Sequence, residues 1–292
     1  INCGTLYMSL GSPEEALEHF RAALLLSRET GYVRDEGYAL MSIGAALEKT
    51  GDPKGAAHSY RRAVELLQRA YEESEMPKEL SAKADALTLL GAMLHRSLDE
   101  PKEALDAYEA AARIYRPLGE GARLRKLLMN LAGLLWRTND PEGSLRNYEE
   151  ALGLAREHGE KAHEAAALAS MGVVHRDMGD HRRAIRHGKE ALELLRELGD
   201  PQAEAYVLTS LAASHKEVGH YSSALSCLKR SLRLRREVGD EEGEIGVLHD
   251  LAGIYESFGK KELARDALEE AESKKETLEE AKKVFAIMER RS

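Results

Sequence analysis

The chain has 292 residues, 43% of them hydrophobic and 32% charged, with a net charge of −9 at neutral pH. That acidic balance argues against direct nucleic-acid binding, where a basic footprint dominates affinity, and two cysteines, Cys3 and Cys227, are too few for a disulfide framework. No apolar run reaches membrane-span length and no signal-peptide pattern opens the chain, so the expectation is a cytoplasmic protein with no membrane association.

Small residues recur with a period of about 40 residues. The first column is Gly4, Gly44, Gly91, Ala132, Gly172, Ala212 and Ala252. A second follows at Ala16, Ala56, Ala104, Ser144, Ala184, Ala224 and Ala264, and a third at Ala23, Ala63, Ala111, Ala151, Ala191, Ser231 and Ala271. Between them apolar residues fall at i, i+3, i+4 and i+7, so each unit predicts two helices. The expected units are 1–31, 32–75, 76–118, 119–159, 160–199, 200–239 and 240–274, with a capping helix at 275–291. Together they make one all-α solenoid domain in which each unit touches its neighbours.

In chain order, the first unit opens partway through a helix, which predicts a fragment of a longer protein. Helix-closing residues stand at Gly11, Gly51, Asn139, Gly179, Gly219 and Gly259, the types that accept a left-handed backbone. Cap-and-proline starts stand at Ser12-Pro13, Asp52-Pro53, Asp140-Pro141 and Asp200-Pro201. Gly91 follows Gly44 by 47 residues; the excess lies mainly around 73–78 and predicts a longer helix or loop inside the array, and one further residue stands past Gly91, within 97–101. In the fifth unit Gly188 stands where sister units carry Phe20, Tyr60, Tyr108, Tyr148, Leu228 and Leu268. It predicts either a soft joint or room for a bulky neighbour. The final segment places Leu278, Ala281, Val284, Phe285 and Met288 on one face, as a cap requires.

These residues resemble the tetratricopeptide repeat family over essentially the whole chain. Its first-helix pattern is matched by Gly4-Thr5-Leu6-Tyr7 and Ala252-Gly253-Ile254-Tyr255, and its second-helix pattern by Ala16, Phe20, Ala23 and by Ala56, Tyr60, Ala63. The long period, with joints such as Leu198-Gly199-Asp200 and Val238-Gly239-Asp240, is similar to a subgroup that includes Pins-type adaptors and the sensor arms of bacterial signalling ATPases and transcription activators. The resemblance implies a right-handed superhelix whose first helices line a concave groove, usually occupied by an extended peptide.

Family geometry turns positions six, three and two before the first small column, and one, four and five after it, toward that groove. Candidate binding residues are then Lys126, Asn130, Trp136 and Arg137 in the fourth unit and His95 and Arg96 in the third. Ser170 and Arg176 follow in the fifth, Thr209 and Lys216 in the sixth, and His249 and Asp250 in the seventh. Asn130 and Asp250 would anchor a peptide backbone. Arg96, Arg137, Arg176, Lys216 and Lys126 would form a basic stripe attractive to an acidic segment or a terminal carboxylate, unless they pair with Glu48, Asp177 and Glu217. Trp136, one residue off the packing column, would be an apolar anchor or fold back as packing.

His175 and His215 occupy the column held elsewhere by Tyr7, Leu47, Leu94, Leu135 and Tyr255, and read as interior packing residues with one hydrogen bond each. Adjacent equivalent positions stand too far apart to share a metal. No metalloprotease motif, phosphate loop or nucleophile elbow is present, so neither catalysis nor a cofactor is expected. The leading reading is an interaction module with a protein or peptide partner; the alternative is a regulatory sensor arm. The sequence specifies no oligomeric state.

Overall fold

The computed structural model describes the backbone of residues 1–289 and the side chains through 283 except that at 281. Every regular element in it is helical. The chain forms two compact units, Ile1–Leu154 and the residues from Ala155 onward. The first holds α1 (Asn2–Ser9), α2 (Pro13–Thr30), α3 (Val33–Lys49), α4 (Pro53–Ser74), α5 (Pro77–Met93), α6 (Pro101–Leu118), α7 (Gly121–Arg137) and most of α8 (Pro141–Glu157). The second continues with α9 (Lys161–Asp177), α10 (His181–Leu198), α11 (Pro201–Glu217), α12 (Tyr221–Val238), α13 (Glu241–Ser257) and α14 (Lys261–Glu289). Neighbours in sequence pack together, α3 on α4, α9 on α10, α11 on α12 and α13 on α14, which makes this an all-α solenoid of helix hairpins.

The turn chemistry follows the sequence closely. Gly11, Gly51, Asn139, Gly179, Gly219 and Gly259 all adopt positive φ, the conformation that lets a helix close on its own last carbonyls. Asp52, Asp140 and Asp200 each accept the amide N–H three residues ahead at 2.9 Å. Ser12 occupies its expected cap position before Pro13 but makes no side-chain cap bond. Asp180 and Asp240 cap α10 and α13 without a proline.

In the first unit the small column makes room for rings. A methyl group at Gly4 would lie 2.5 Å from Phe20, one at Gly44 2.6 Å from Tyr60 and one at Gly91 2.8 Å from Tyr108. All three rings are buried, each worth on the order of 4 kcal/mol of removed surface. The second unit solves the same column differently. With no ring at 188, a methyl at Gly172 would meet Ala184 O at 3.4 Å, Gly188 N at 3.6 Å and His187 Cβ at 3.9 Å, so α9 and α10 approach with their backbones close. Leu211 fills the space that a side chain at Gly188 would need, since a methyl there would lie 2.7 Å from Leu211 Cδ2. Helix α10 runs through Gly188 without a break, and the expected room for a bulky neighbour is present and filled by Leu211.

The insertion divides into two parts. Residues 73–78 lengthen α4 to 22 residues and end it on Glu75 at φ 53°. The single residue within 97–101 is absorbed by a π-turn, Leu94–Leu98, that follows α5. In sister turns Asp52 N–H donates to Leu47 O (2.9 Å) and Asp140 N–H to Leu135 O (2.8 Å); here Glu100 N–H reaches back to Leu94 O at 3.0 Å, one residue further. At the other end, α14 continues unbroken from the last hairpin into the segment expected to cap the array, as far as Glu289. Leu278 is half-buried; the side chains of Ala281, Val284, Phe285 and Met288 lie outside the described residues.

A set of ion pairs that the repeat reading overlooked clips successive hairpins. Arg28 holds Glu36 at 2.9 Å, Arg156 holds Glu164 at 2.7 Å, Arg196 meets Glu204 at 3.6 Å and Arg236 meets Glu244 at 3.8 Å. Each joins the end of one helix to the start of the next, eight residues on. At the equivalent place after α4 the chain carries Gln68 and Lys83, joined by a 2.7 Å hydrogen bond. An Arg followed eight residues later by Glu was the legible signal.

Candidate partner-binding face

In the first unit the candidates come from α7 and the π-turn. Lys126, Asn130 and Arg137 are spaced by four and seven residues, which keeps them on one stripe of α7. Asn130 is half-buried, and its amide makes no hydrogen bond among the described residues, so both its donor and its acceptor are available. Lys126 is exposed, and Trp136 presents 38% of its surface.

The π-turn brings His95 and Arg96 toward Arg137. Burial, then the charges of Arg137 and Arg96, lower the His95 pKa and hold the ring neutral. This basic corner is partly answered: Arg96 Nη2 lies 3.3 Å from Glu48 and Arg137 Nη2 lies 3.8 Å from Asp99. The expected pairing of Arg96 with Glu48 is therefore present, yet Arg96 and Arg137 stay more than half exposed, with ample surface for a further anion.

One residue of this face was missed. Asp85 stands six before Gly91, the same register as Lys126, and accepts the Tyr115 hydroxyl at 2.7 Å. Burial raises its pKa, opposed by the Tyr115 bond and by Arg123 and Lys126. Arg123 sits 3.5 Å from Asp85 and also bonds Ser81 and Glu120. The face thus alternates in sign, and the register rule that selected Lys126 could have found Asp85.

In the second unit the candidates divide. Arg176 is fixed: its Nε and Nη2 donate to Asp177 at 3.0 and 2.9 Å, and its Nη1 to Ser210 Oγ at 3.3 Å. Thr209 turns inward, donating to Ala205 O at 3.1 Å and meeting the buried Ser231 hydroxyl at 3.0 Å. Ser170 is half-buried and His249 exposed. Lys216 and Asp250 come together across a cleft of about 120 Å³ floored by Ala212, Leu228 and Ile254. Burial raises the Asp250 pKa, opposed by Lys216 and His249, although the side chain remains open to solvent. Crowding by protein combined with solvent access marks a recessed surface.

The two column histidines are buried as expected. His175 stacks on His187 with ring centroids 5.2 Å apart. His215, expected to hold one hydrogen bond, tilts against His220 at 5.8 Å with its Nδ1 buried and unpartnered; burial, Lys189 and His220 hold its pKa down.

The tetratricopeptide repeat model matches residues 1–69, 82–157, 122–197, 163–237 and 202–276. No curated protein sequence matches the chain. Among solved structures, the chain is similar to the Signal Transduction ATPase with Numerous Domains protein with a tetratricopeptide repeat sensor from Pyrococcus horikoshii (TM-score 0.79, 16% identity, 98% of this chain but 43% of that one). It is also similar to BtubC from P. vanneervenii (TM-score 0.66, 20% identity, 76% of this chain and 91% of that one). The apo form of RapI aligns with 83% of this chain and 99% of its own, at 16% identity and TM-score 0.63. No helix among the described residues is long and apolar enough to cross a membrane.

Proposed function

Because the chain belongs to the tetratricopeptide repeat family, a scaffold for protein interaction, we propose that its first-helix faces form a groove holding an extended, acidic partner segment. The observation that carries this is the unbonded Asn130 amide on α7, the helix that also carries exposed Trp136 and Arg137 of the Arg96 and Arg137 corner. Asn130 would take a backbone N–H and C=O of the segment, Trp136 an apolar side chain, and the two guanidinium groups a carboxylate. Nothing in this mechanism is catalytic; it is preorganised binding by side chains that the helices already hold.

A displayed library of random peptides selected on the folded protein tests it. Acidic sequences are expected to be enriched, and Asn130→Ala combined with Arg137→Glu to weaken them tenfold or more while the helical circular dichroism is unchanged. Enrichment that ignores charge, or that survives both substitutions, would overturn the reading.

The regulatory alternative is favoured by one observation, the alignment of 98% of this chain with a signalling ATPase that carries a tetratricopeptide repeat sensor. In that reading the recessed pair Lys216 and Asp250 would receive a small zwitterionic effector or a peptide end, and the array would act on an attached output domain. Lys216→Ala and Asp250→Asn should then abolish effector binding without touching the peptides selected through Asn130.

A further inference from the structure

The lengthened stretch around the end of α4 builds a second candidate site, at the openings of α3 and α5. Where residues 73–78 extend α4, an open cleft of about 320 Å³ forms between the end of that helix and the turn joining α2 to α3. Tyr32, Arg34, Asp35, Glu73, Ser74 and Glu79 are among the residues that line it. Glu79 is 2% exposed, and its Oε2 is buried with no hydrogen bond. Its Oε1 has two cations nearby, Arg34 Nη1 and Lys78 Nζ, each 3.9 Å away and so beyond hydrogen-bond reach.

The usual structural duties of such a glutamate are not performed. As the third residue of α5 it could reach back to the cap amide, but that amide, Met76 N–H, donates to Ser74 Oγ at 3.3 Å. Of the half-buried and buried glutamates that open other helices, Glu36 and Glu164 meet an arginine from the helix before at 2.9 and 2.7 Å, while Glu204 and Glu244, 3.6 and 3.8 Å from theirs, are met closely by Arg230 and, at 2.7 Å, by Lys274. At that register α5 carries Lys83, bonded to Gln68, so Glu79, four residues earlier, lies outside the clip. Glu79 is therefore a buried carboxylate whose partner the chain does not supply at bonding distance, a costly arrangement until a cation enters.

The surroundings specify which cation. Tyr32 is 64% exposed at the rim, offering a ring face to a positive head group. Glu73 is held by Arg69 at 2.9 Å and Asp35 by Arg34 at 3.1 Å, whereas Glu79 has only its two cations at 3.9 Å and no hydrogen bond on Oε2. Among the described residues no three acidic, histidine or cysteine side chains are grouped to hold a metal, and a divalent ion would need about six oxygen ligands. We propose that this cleft binds a primary ammonium or guanidinium group, carried by a small aliphatic amine or by a lysine or arginine side chain of a partner.

The test is an amide-resolved NMR titration of the whole chain with 1,5-diaminopentane, its neutral analogue 1,5-pentanediol, and lysine and arginine capped at both ends. The cationic probes should shift the amides of 31–35 and Glu79, and the diol should not. Glu79→Gln should weaken the diamine at least tenfold while its unfolding midpoint stays equal to wild type or rises. Arg34→Ala, which removes a competing cation from the rim, should tighten it. A diamine that binds better than the capped amino acids identifies a free amine as ligand; the reverse order identifies a partner side chain. Equal responses to diamine and diol, undiminished binding by Glu79→Gln, or loss of binding in Arg34→Ala would each overturn the proposal.

Discussion

Between Ile1 and Leu154 three rings sit on three glycines; from Ala155 onward the same positions hold Gly188, Leu228 and Leu268 opposite Gly172, Ala212 and Ala252. The first unit spends its small residues on admitting large plugs, Phe20, Tyr60 and Tyr108. In the second, α9 and α10 close directly, stack His175 on His187 and let Leu211 take the vacated volume. A glycine in this column is therefore a statement about what stands opposite it. One period can be kept by two kinds of packing because the period fixes only where volume must be shared.

The largest expected effect breaks the first unit alone. Tyr60 is fully buried, so Tyr60→Ala should cost about 4 kcal/mol, read by hydrogen exchange as lost protection in α3 and α4 with little change in α11 to α13. A uniform loss across both units would show that the array unfolds as one body and that the contrast in packing has no energetic meaning.

Acid should instead favour breaking the second unit. Burial, then Arg186 and His175, lower the His187 pKa from 6.5 to about 4. A histidine kept neutral when folded contributes stability that is fully present above its unfolded pKa of about 6.5 and drains away as pH falls toward 4. From pH 7 to pH 5 that is about 2 kcal/mol at most, and His187→Phe, which keeps a ring on His175, should flatten the pH dependence of exchange in α9 and α10. An unchanged profile in that variant would assign the acid sensitivity to other groups.

The smallest effect is also the sharpest, because it changes sign. Gly44→Ala forces a methyl against the rigid ring of Tyr60 and should destabilise by about 1–3 kcal/mol. Gly172→Ala meets only ordinary contacts and should gain up to about 1 kcal/mol of helix propensity. Thermal or urea unfolding of the two variants decides it; shifts of the same sign would refute the comparison.

Much of this architecture was legible in the sequence, because helix pairing depends on periodic small and apolar residues that each unit carries for itself. The closing residues from Gly11 to Gly259 could be read singly, since positive φ is a local requirement. Ser12 shows the limit of that reading: its residue type fits a cap, but whether the hydroxyl meets the amide depends on a rotamer. On the candidate face, the exposure of Trp136 and the grouping of His95 and Arg96 with Arg137 followed from register. The inward turn of Thr209 did not, because it is decided by Ser231 on another helix. Glu79 was invisible for the same reason: one glutamate among many becomes unusual only once the lengthened α4 buries it.

The π-turn after α5 has a consequence beyond its own geometry. A stacked array behaves like a one-dimensional crystal, in which an added unit of length would ordinarily shift the phase of everything downstream. Here the misfit is annealed within a single loop of backbone: Glu100 bonds one residue further back, and α6 begins in step, with Tyr108 seated on Gly91 as Tyr60 is on Gly44. The lattice can therefore carry a point defect without a fault line, and removing one residue between Ser97 and Asp99 should restore a standard turn while leaving the hairpins on either side in place.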